Sequence, residues 1–215
     1  MMTEDKWLGG VEVRAYPVED LIVEERAGVP MLRGLAVPYN KTSEDLGGFR
    51  EVIAQDAARA DVESGKPIAM LWQHDPSHPI SKTTARVSPL QLENTSDGVR
   101  FLQEARSLTA EQRMRIEDGV VDTMSFGFRV SKAAHEKWEE LTGGRFLRTV
   151  LRMSLLEISP VTFAAYRQTK VAVRCAAHHG ITLPGAPEDM VTDPAAEFLR
   201  SQERRLELAL LGGAL

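Results

Sequence analysis

A single cysteine, Cys175, occurs in the 215 residues, which excludes an internal disulfide and any cysteine-rich zinc site. A reducing compartment fits such a chain. No apolar stretch approaches the roughly 20 residues that span a bilayer. The opening MMTEDKWLGGVEVRAYP is charged and lacks the apolar centre of a secretory signal, so a cytosolic chain with no membrane partner is expected. Positive charge is not in excess either: the net charge is −5, which argues against a nucleic-acid partner. No internal repeat marks a solenoid. HExxH, a P-loop and the G-x-S-x-G elbow are all missing, which closes the zincin, nucleotide-phosphate and α/β-hydrolase routes.

What is present is ordinary for a globular domain: 43% hydrophobic and 27% charged residues. The length suits one domain with tails. Two strands are expected within 11–37, the first because Val11, Val13 and Ala15 alternate with charged or polar neighbours. A loop over 40–48 and a short helix over 49–63 follow. Residues 67–74 form a strand ending on Gln73-His74-Asp75, and 82–93 are extended. Asn94 to Gly98 is a turn that makes a hairpin with the strand 99–105. Residues 107–119 are helical, with Thr109 as cap, Gln112 closing a capping box and Gly119 past the end.

Residues 120–130 alternate again. Val120, Met124, Phe126, Phe128 and Val130 share one face, interrupted by Asp122, and Val121, Thr123, Ser125, Gly127 and Arg129 the other. A charged insertion over 131–144 ends in Gly-Gly, and 145–162 are extended. The domain is placed at 1–173, with its core at about 11–173. A linker over 174–193 and an amphipathic C-terminal helix within 194–215 follow. Asp193 caps that helix, Pro194 opens it, and Leu199, Leu206 and Leu210 form its stripe. Seven or eight short strands with two or three helices make a mainly β, α+β fold, with an antiparallel barrel or sandwich favoured over βαβ units.

Three residues sit in unusual settings. Ser125 lies mid-strand two positions from Gly127, and a strand glycine often marks a close approach of ligand or backbone. Glu157 shares its face by period two with Leu151, Met153 and Leu155, so its carboxylate needs a donor or cation. Arg148 or Arg152 would be the structural partner. His74 stands at a strand end, where bonding to a carbonyl is its bland role. Asp75 cannot orient it on an extended chain, because neighbours point to opposite faces. Taken together, serine, histidine and carboxylate are what nucleophilic catalysis needs: a hydroxyl, a base and a group that fixes the base. A metal site on His74, His78 and an acid is the alternative, but Pro76 and Pro79 bar the helix that would align the two rings.

Several segments, in order, resemble the HK97-like prohead proteases of tailed bacteriophages, the capsid-maturation serine peptidases. They are Arg33-Gly34-Leu35-Ala36-Val37-Pro38-Tyr39, Phe49-Arg50-Glu51-Val52-Ile53, Gln73-His74-Asp75, Asp97-Gly98, Glu117-Asp118-Gly119-Val120, Met124-Ser125-Phe126-Gly127-Phe128 and Leu156-Glu157-Ile158-Ser159-Pro160-Val161-Thr162. The match runs from about Leu32 to Val173. It departs at Pro79-Ile80-Ser81, where the family often has Pro-Leu-Gly, and at Phe163-Ala164-Ala165, where Pro-Ala is common.

The resemblance implies a β-barrel ringed by a few helices, similar to the herpesvirus assembly proteases. It implies a serine endopeptidase with His74, Ser125 and Glu157 as catalytic residues and no cofactor or metal. Its substrates would be a scaffold protein, or a scaffold-like segment of the major capsid protein, and the protease itself, inside the assembling procapsid of the bacterial host. Self-cleavage would suit the linker, and the terminal helix would suit docking or dimerisation. Arginines of the 145–152 segment are candidate oxyanion donors. A non-catalytic barrel that binds scaffold or capsid protein is the competing reading.

Overall fold

The computed structural model of the chain describes residues 10–17 and 20–163, together with Ala176, His179 and Ile181. The expected linker and C-terminal helix lie outside the described residues, apart from those last three positions. Twelve strands and two α-helices are present among them. The strands are β1 (Glu12–Pro17), β2 (Ile22–Arg26), β3 (Val29–Pro38), β4 (Phe49–Ile53), β5 (Ala69–Trp72), β6 (Asp75–Lys82), β7 (Gln91–Asn94), β8 (Gly98–Glu104), β9 (Thr123–Arg129), β10 (Glu136–Leu141), β11 (Arg145–Val150) and β12 (Ser154–Val161). The helices are α1 (Arg59–Glu63) and α2 (Ala110–Glu117).

The strands pair into three sheets, ordered β1-β9-β12-β5-β6, β10-β11-β4 and β2-β3-β8-β7. The fold is mainly β with few helices, as expected, but the expected barrel is not formed: among the described residues no sheet closes on itself. Closure requires the end strands to pair. The five-stranded sheet ends on β6, where Pro76 and Pro79 have no N–H to donate to a further strand. Nor is the pairing wholly antiparallel, since β11 runs parallel to β4 and β12 parallel to β5.

The main core lies against one face of β9 and β12. Met124, Phe126 and Phe128 of β9 and Ile158 of β12 pack with Leu32 of β3 and Phe101 of β8. Burial of this apolar area is the main stabilising term. Helix α2 begins as its sequence dictates: Thr109 accepts from the Gln112 N–H, and the Gln112 side chain accepts from the Thr109 N–H. Gly119 follows it at φ +69, the left-handed stop that favours glycine.

Residues 49–63 differ from expectation. Their first part is β4, and only Arg59–Glu63 is helical. Phe49, Glu51 and Ile53 point inward together, and the charge at Glu51 hides this alternation in the sequence. The insertion over 131–144 is also ordered, as β10 turning through Gly143-Gly144 into β11.

Glu51 belongs to a buried charge cluster that joins two sheets. Arg14 of β1 donates to Glu51 Oε1 at 2.8 Å and to Glu12 Oε2 at 2.9 Å. Arg148 of β11 donates to Glu12 Oε2 at 2.5 Å, Glu51 Oε2 at 2.8 Å and Glu136 Oε2 at 2.7 Å. His179 reaches the other Glu136 oxygen at 3.1 Å. All five Glu and Arg residues are buried. Burial alone would raise the Glu12 pKa, but Arg148 and then Arg14 outweigh it and hold it below the usual carboxylate value. The opposite balance keeps Arg148 charged: burial would lower its pKa, and Glu12 and Glu51 raise it well above the ordinary value. With its folded-state pKa depressed, Glu12 contributes stability above the usual carboxylate range and loses it as pH falls toward the lowered value.

Candidate active site

Strand β9 presents alternate residues to the face opposite the core, so Ser125 and Gly127 sit together there while Phe126 and Phe128 pack inside. Strand β12 runs antiparallel beside it, with Ser159 opposite Ser125 and Glu157 opposite Gly127. A β-bulge at Leu156 sets this register, since Leu155 pairs with Phe128 and Glu157 with Gly127. That one extra residue reverses the period-two expectation. Leu155 and Met153 lie in the core, and Glu157 is turned to the Ser125 face. Bulges re-aim side chains in this way beside functional sites.

His74 comes from a hairpin tip. Trp72 of β5 pairs with Asp75 of β6, leaving Gln73 and His74 as a two-residue turn. Both have positive φ, 55 and 59, the pattern of a type I′ turn that Asn-Gly normally occupies. Each non-glycine residue there costs about 1 kcal/mol or more. The tip is held against the end of β12. The Gln73 N–H donates to the Pro160 carbonyl at 3.2 Å, its side-chain amide donates to Thr162 Oγ1 at 3.0 Å, and its amide oxygen accepts from the Thr162 N–H at 3.3 Å.

These elements bring the three sequence candidates together. His74 Nε2 lies 2.7 Å from Ser125 Oγ, and His74 Nδ1 lies 2.8 Å from Glu157 Oε1. Ser125 and Glu157 are fully buried, and His74 is 5% exposed. Glu157 Oε2 accepts from Ser159 Oγ at 2.5 Å. Ser125 Oγ also lies 2.8 Å from the backbone carbonyl of Arg14 on β1. Its one proton therefore has two acceptors, and only the bond to Nε2 readies the oxygen for attack.

Asp75 does not serve His74. It accepts from the Ser77 N–H at 2.9 Å and the Ser77 hydroxyl at 2.6 Å, holding the next turn, and pairs with His78 at 2.9 Å. His74 and His78 thus engage different carboxylates, which removes the geometric basis for a shared metal. Among the described residues no cluster of histidine, cysteine and acids is placed to hold one. Arg148 is committed to the charge cluster, not to Glu157 or to an oxyanion, and Arg145 and Arg152 are exposed.

Sequence reasoning missed one contributor, Ser159, and for Gly127 it expected a ligand or backbone where a side chain approaches. Ser159 reads as an ordinary strand serine, although its period-two spacing from Glu157 could have flagged it. At Gly127 the close approach comes from Glu157: a Cβ there would lie 2.7 Å from its Oε1 and 3.2 Å from its Cγ. That oxygen is fixed by His74 and cannot give way freely. Gly127→Ala is therefore expected to displace the carboxylate from His74 and to lower any hydrolytic rate that depends on that contact about 10²-fold. Steady-state kinetics on folded protein checks this, and an unchanged rate would show that the carboxylate position does not matter.

A hydroxyl, an imidazole and a carboxylate in hydrogen-bonded series, on a mainly β scaffold, can activate a serine oxygen for acyl transfer. A family model described as caudovirus prohead serine protease matches residues 19–182, well over half of the chain. The chain belongs to that family, a group of bacteriophage capsid-maturation serine proteases. Among solved structures, the bacteriophage T4 capsid assembly protease gp21 is similar at a TM-score of 0.41 and 8% identity, over 70% of this chain and 97% of that one. No match was found among curated proteins.

Proposed function

We propose that the chain is a serine endopeptidase of procapsid maturation, with Ser125 as nucleophile, His74 as general base and Glu157 as the acid that fixes the base. The observation that carries this reading is the pair of bonds made by His74, 2.7 Å to Ser125 and 2.8 Å to Glu157. Neutral His74, protonated on Nδ1 and bonded there to Glu157, takes the Ser125 proton on Nε2 as Oγ attacks the scissile carbonyl. The C–N bond then breaks, and the Nε2 proton passes to the leaving amine. A water attacks the acyl ester by the same route, its proton going to Nε2 and then back to Ser125. Glu157 offsets the transient imidazolium charge.

Membership of a prohead protease family supports substrates built into the procapsid: a scaffold protein or scaffold-like segment of the major capsid protein, and the protease chain itself. The site of action is then the interior of the assembling particle in the host. The competing reading, a non-catalytic assembly module, draws on the burial of Ser125, because a peptide reaches this oxygen only after the site opens.

Glu157→Gln tests the role given to the carboxylate, and Ser125→Ala separates the two readings. The amide preserves shape but cannot hold the His74 tautomer or balance its charge. It is expected to lower kcat about 10³- to 10⁴-fold. A fall of less than about tenfold would remove Glu157 from the catalytic set.

A further inference from the structure

The mechanism above uses one oxygen of Glu157, Oε1. The other, Oε2, accepts from Ser159 Oγ at 2.5 Å, and both side chains are fully buried. Ser159 stands on β12 directly opposite Ser125 on β9, two residues beyond Glu157. Among the described residues its hydroxyl makes no other side-chain bond. A buried carboxylate stays ionised only where donors replace water. The His74 Nδ1–H supplies one donor and the Ser159 hydroxyl the other. The terminal torsion of a glutamate is soft, so a donor on each oxygen also pins the plane that His74 faces.

We propose that Ser159 is a positioning residue of the peptidase site, acting through Glu157 to hold the carboxylate aimed at His74. This rests on the reading of Ser125, His74 and Glu157 given above. Without the Ser159 proton, Oε2 has no donor, the carboxylate becomes more basic, and the His74–Glu157 pair holds its shared proton to higher pH. Catalysis needs that pair with His74 neutral and Glu157 ionised, so the acid limb of the rate profile moves upward.

The test uses the full chain and a peptide spanning the bond that mass spectrometry maps in the co-expressed capsid or scaffold protein. Ser159→Ala is expected to lower kcat about tenfold with KM little changed. It should also move the acid limb of kcat/KM up by about one pH unit. Ser159→Thr, which keeps the hydroxyl, restores the limb. Ser159→Cys, with a weaker donor and similar volume, moves it in the same direction by less and covers the case where the alanine variant does not fold. In a Ser125→Ala background, the far-downfield proton of the His74–Glu157 bond is sharp with Ser159 and broadened with alanine. A folded alanine or cysteine variant whose acid limb and proton signal match the wild type overturns the proposal. If instead wild-type protein does not cleave, or Ser125→Ala does, the peptidase reading fails, and the proton signal still tests the Ser159 contact by itself.

Discussion

Ser125→Ala is expected to stop processing altogether while leaving the fold intact. The hydroxyl is the only atom removed, its place on β9 is fixed by strand pairing with β1 and β12, and alanine fits wherever serine does. The expected loss is large because, in the proposed mechanism, serine, base and acid act as one unit. Removing the nucleophile of a serine peptidase costs roughly 10⁶-fold in kcat. The variant is co-expressed with its capsid or scaffold partner, and the intact masses of both products are read. Wild type should give trimmed partner and trimmed protease, and Ser125→Ala should give both at full length. Trimming that persists in the variant would place the chemistry elsewhere. Untrimmed partner with both forms, in assembled particles, would favour the non-catalytic module.

The second large effect is on stability. Arg148→Met should destabilise the domain by about 3–5 kcal/mol, since it leaves buried carboxylates without their shared cation. Glu12, Glu51 and Glu136 all take hydrogen bonds from Arg148, and Arg14 reaches only the first two of them. The loss also weakens the seam between the five-stranded sheet and β10-β11-β4. Strand β1, whose Arg14 carbonyl faces Ser125, is tied into that seam. Urea unfolding measures the change, and a loss under about 1 kcal/mol would mean that the cluster protonates or takes up water at little cost. Arg148→Met combined with Glu51→Leu and Glu136→Leu should recover part of the loss, because apolar replacement of a whole buried ion group is often neutral or better.

The capping box at Thr109 and Gln112, the Asp97-Gly98 hairpin and the inward face of β9 were all legible, because local hydrogen bonding and periodicity decide them. His74, Ser125 and Glu157, which the structure joins by hydrogen bonds, were named together from the sequence through the family resemblance. What stayed hidden has a common cause in buried polarity and broken register. Glu12, Arg14 and Glu51 read as solvent-facing, yet they lie in the charge cluster. The charge at Glu51 is why β4 reads as the start of a helix. The bulge at Leu156 reversed the facing of Glu157, and no composition signal marks a bulge. The Gln73-His74 turn carries none of the glycine or asparagine that announces such a tip. It is held there by Thr162 and Pro160, which are distant in sequence. The barrel failed for a similar reason: strand number does not say which edges meet, and the prolines of β6 end the sheet.

The central claim is that His74 makes the Ser125 oxygen a nucleophile. The most direct measurement is labelling with a serine-directed fluorophosphonate, followed by peptide mass spectrometry to locate the adduct. One adduct is expected, on Ser125, and it disappears in His74→Ala while that variant keeps its fold. Wild-type protein competent to process its partner, yet labelled only at another residue or equally well without the imidazole, would contradict it.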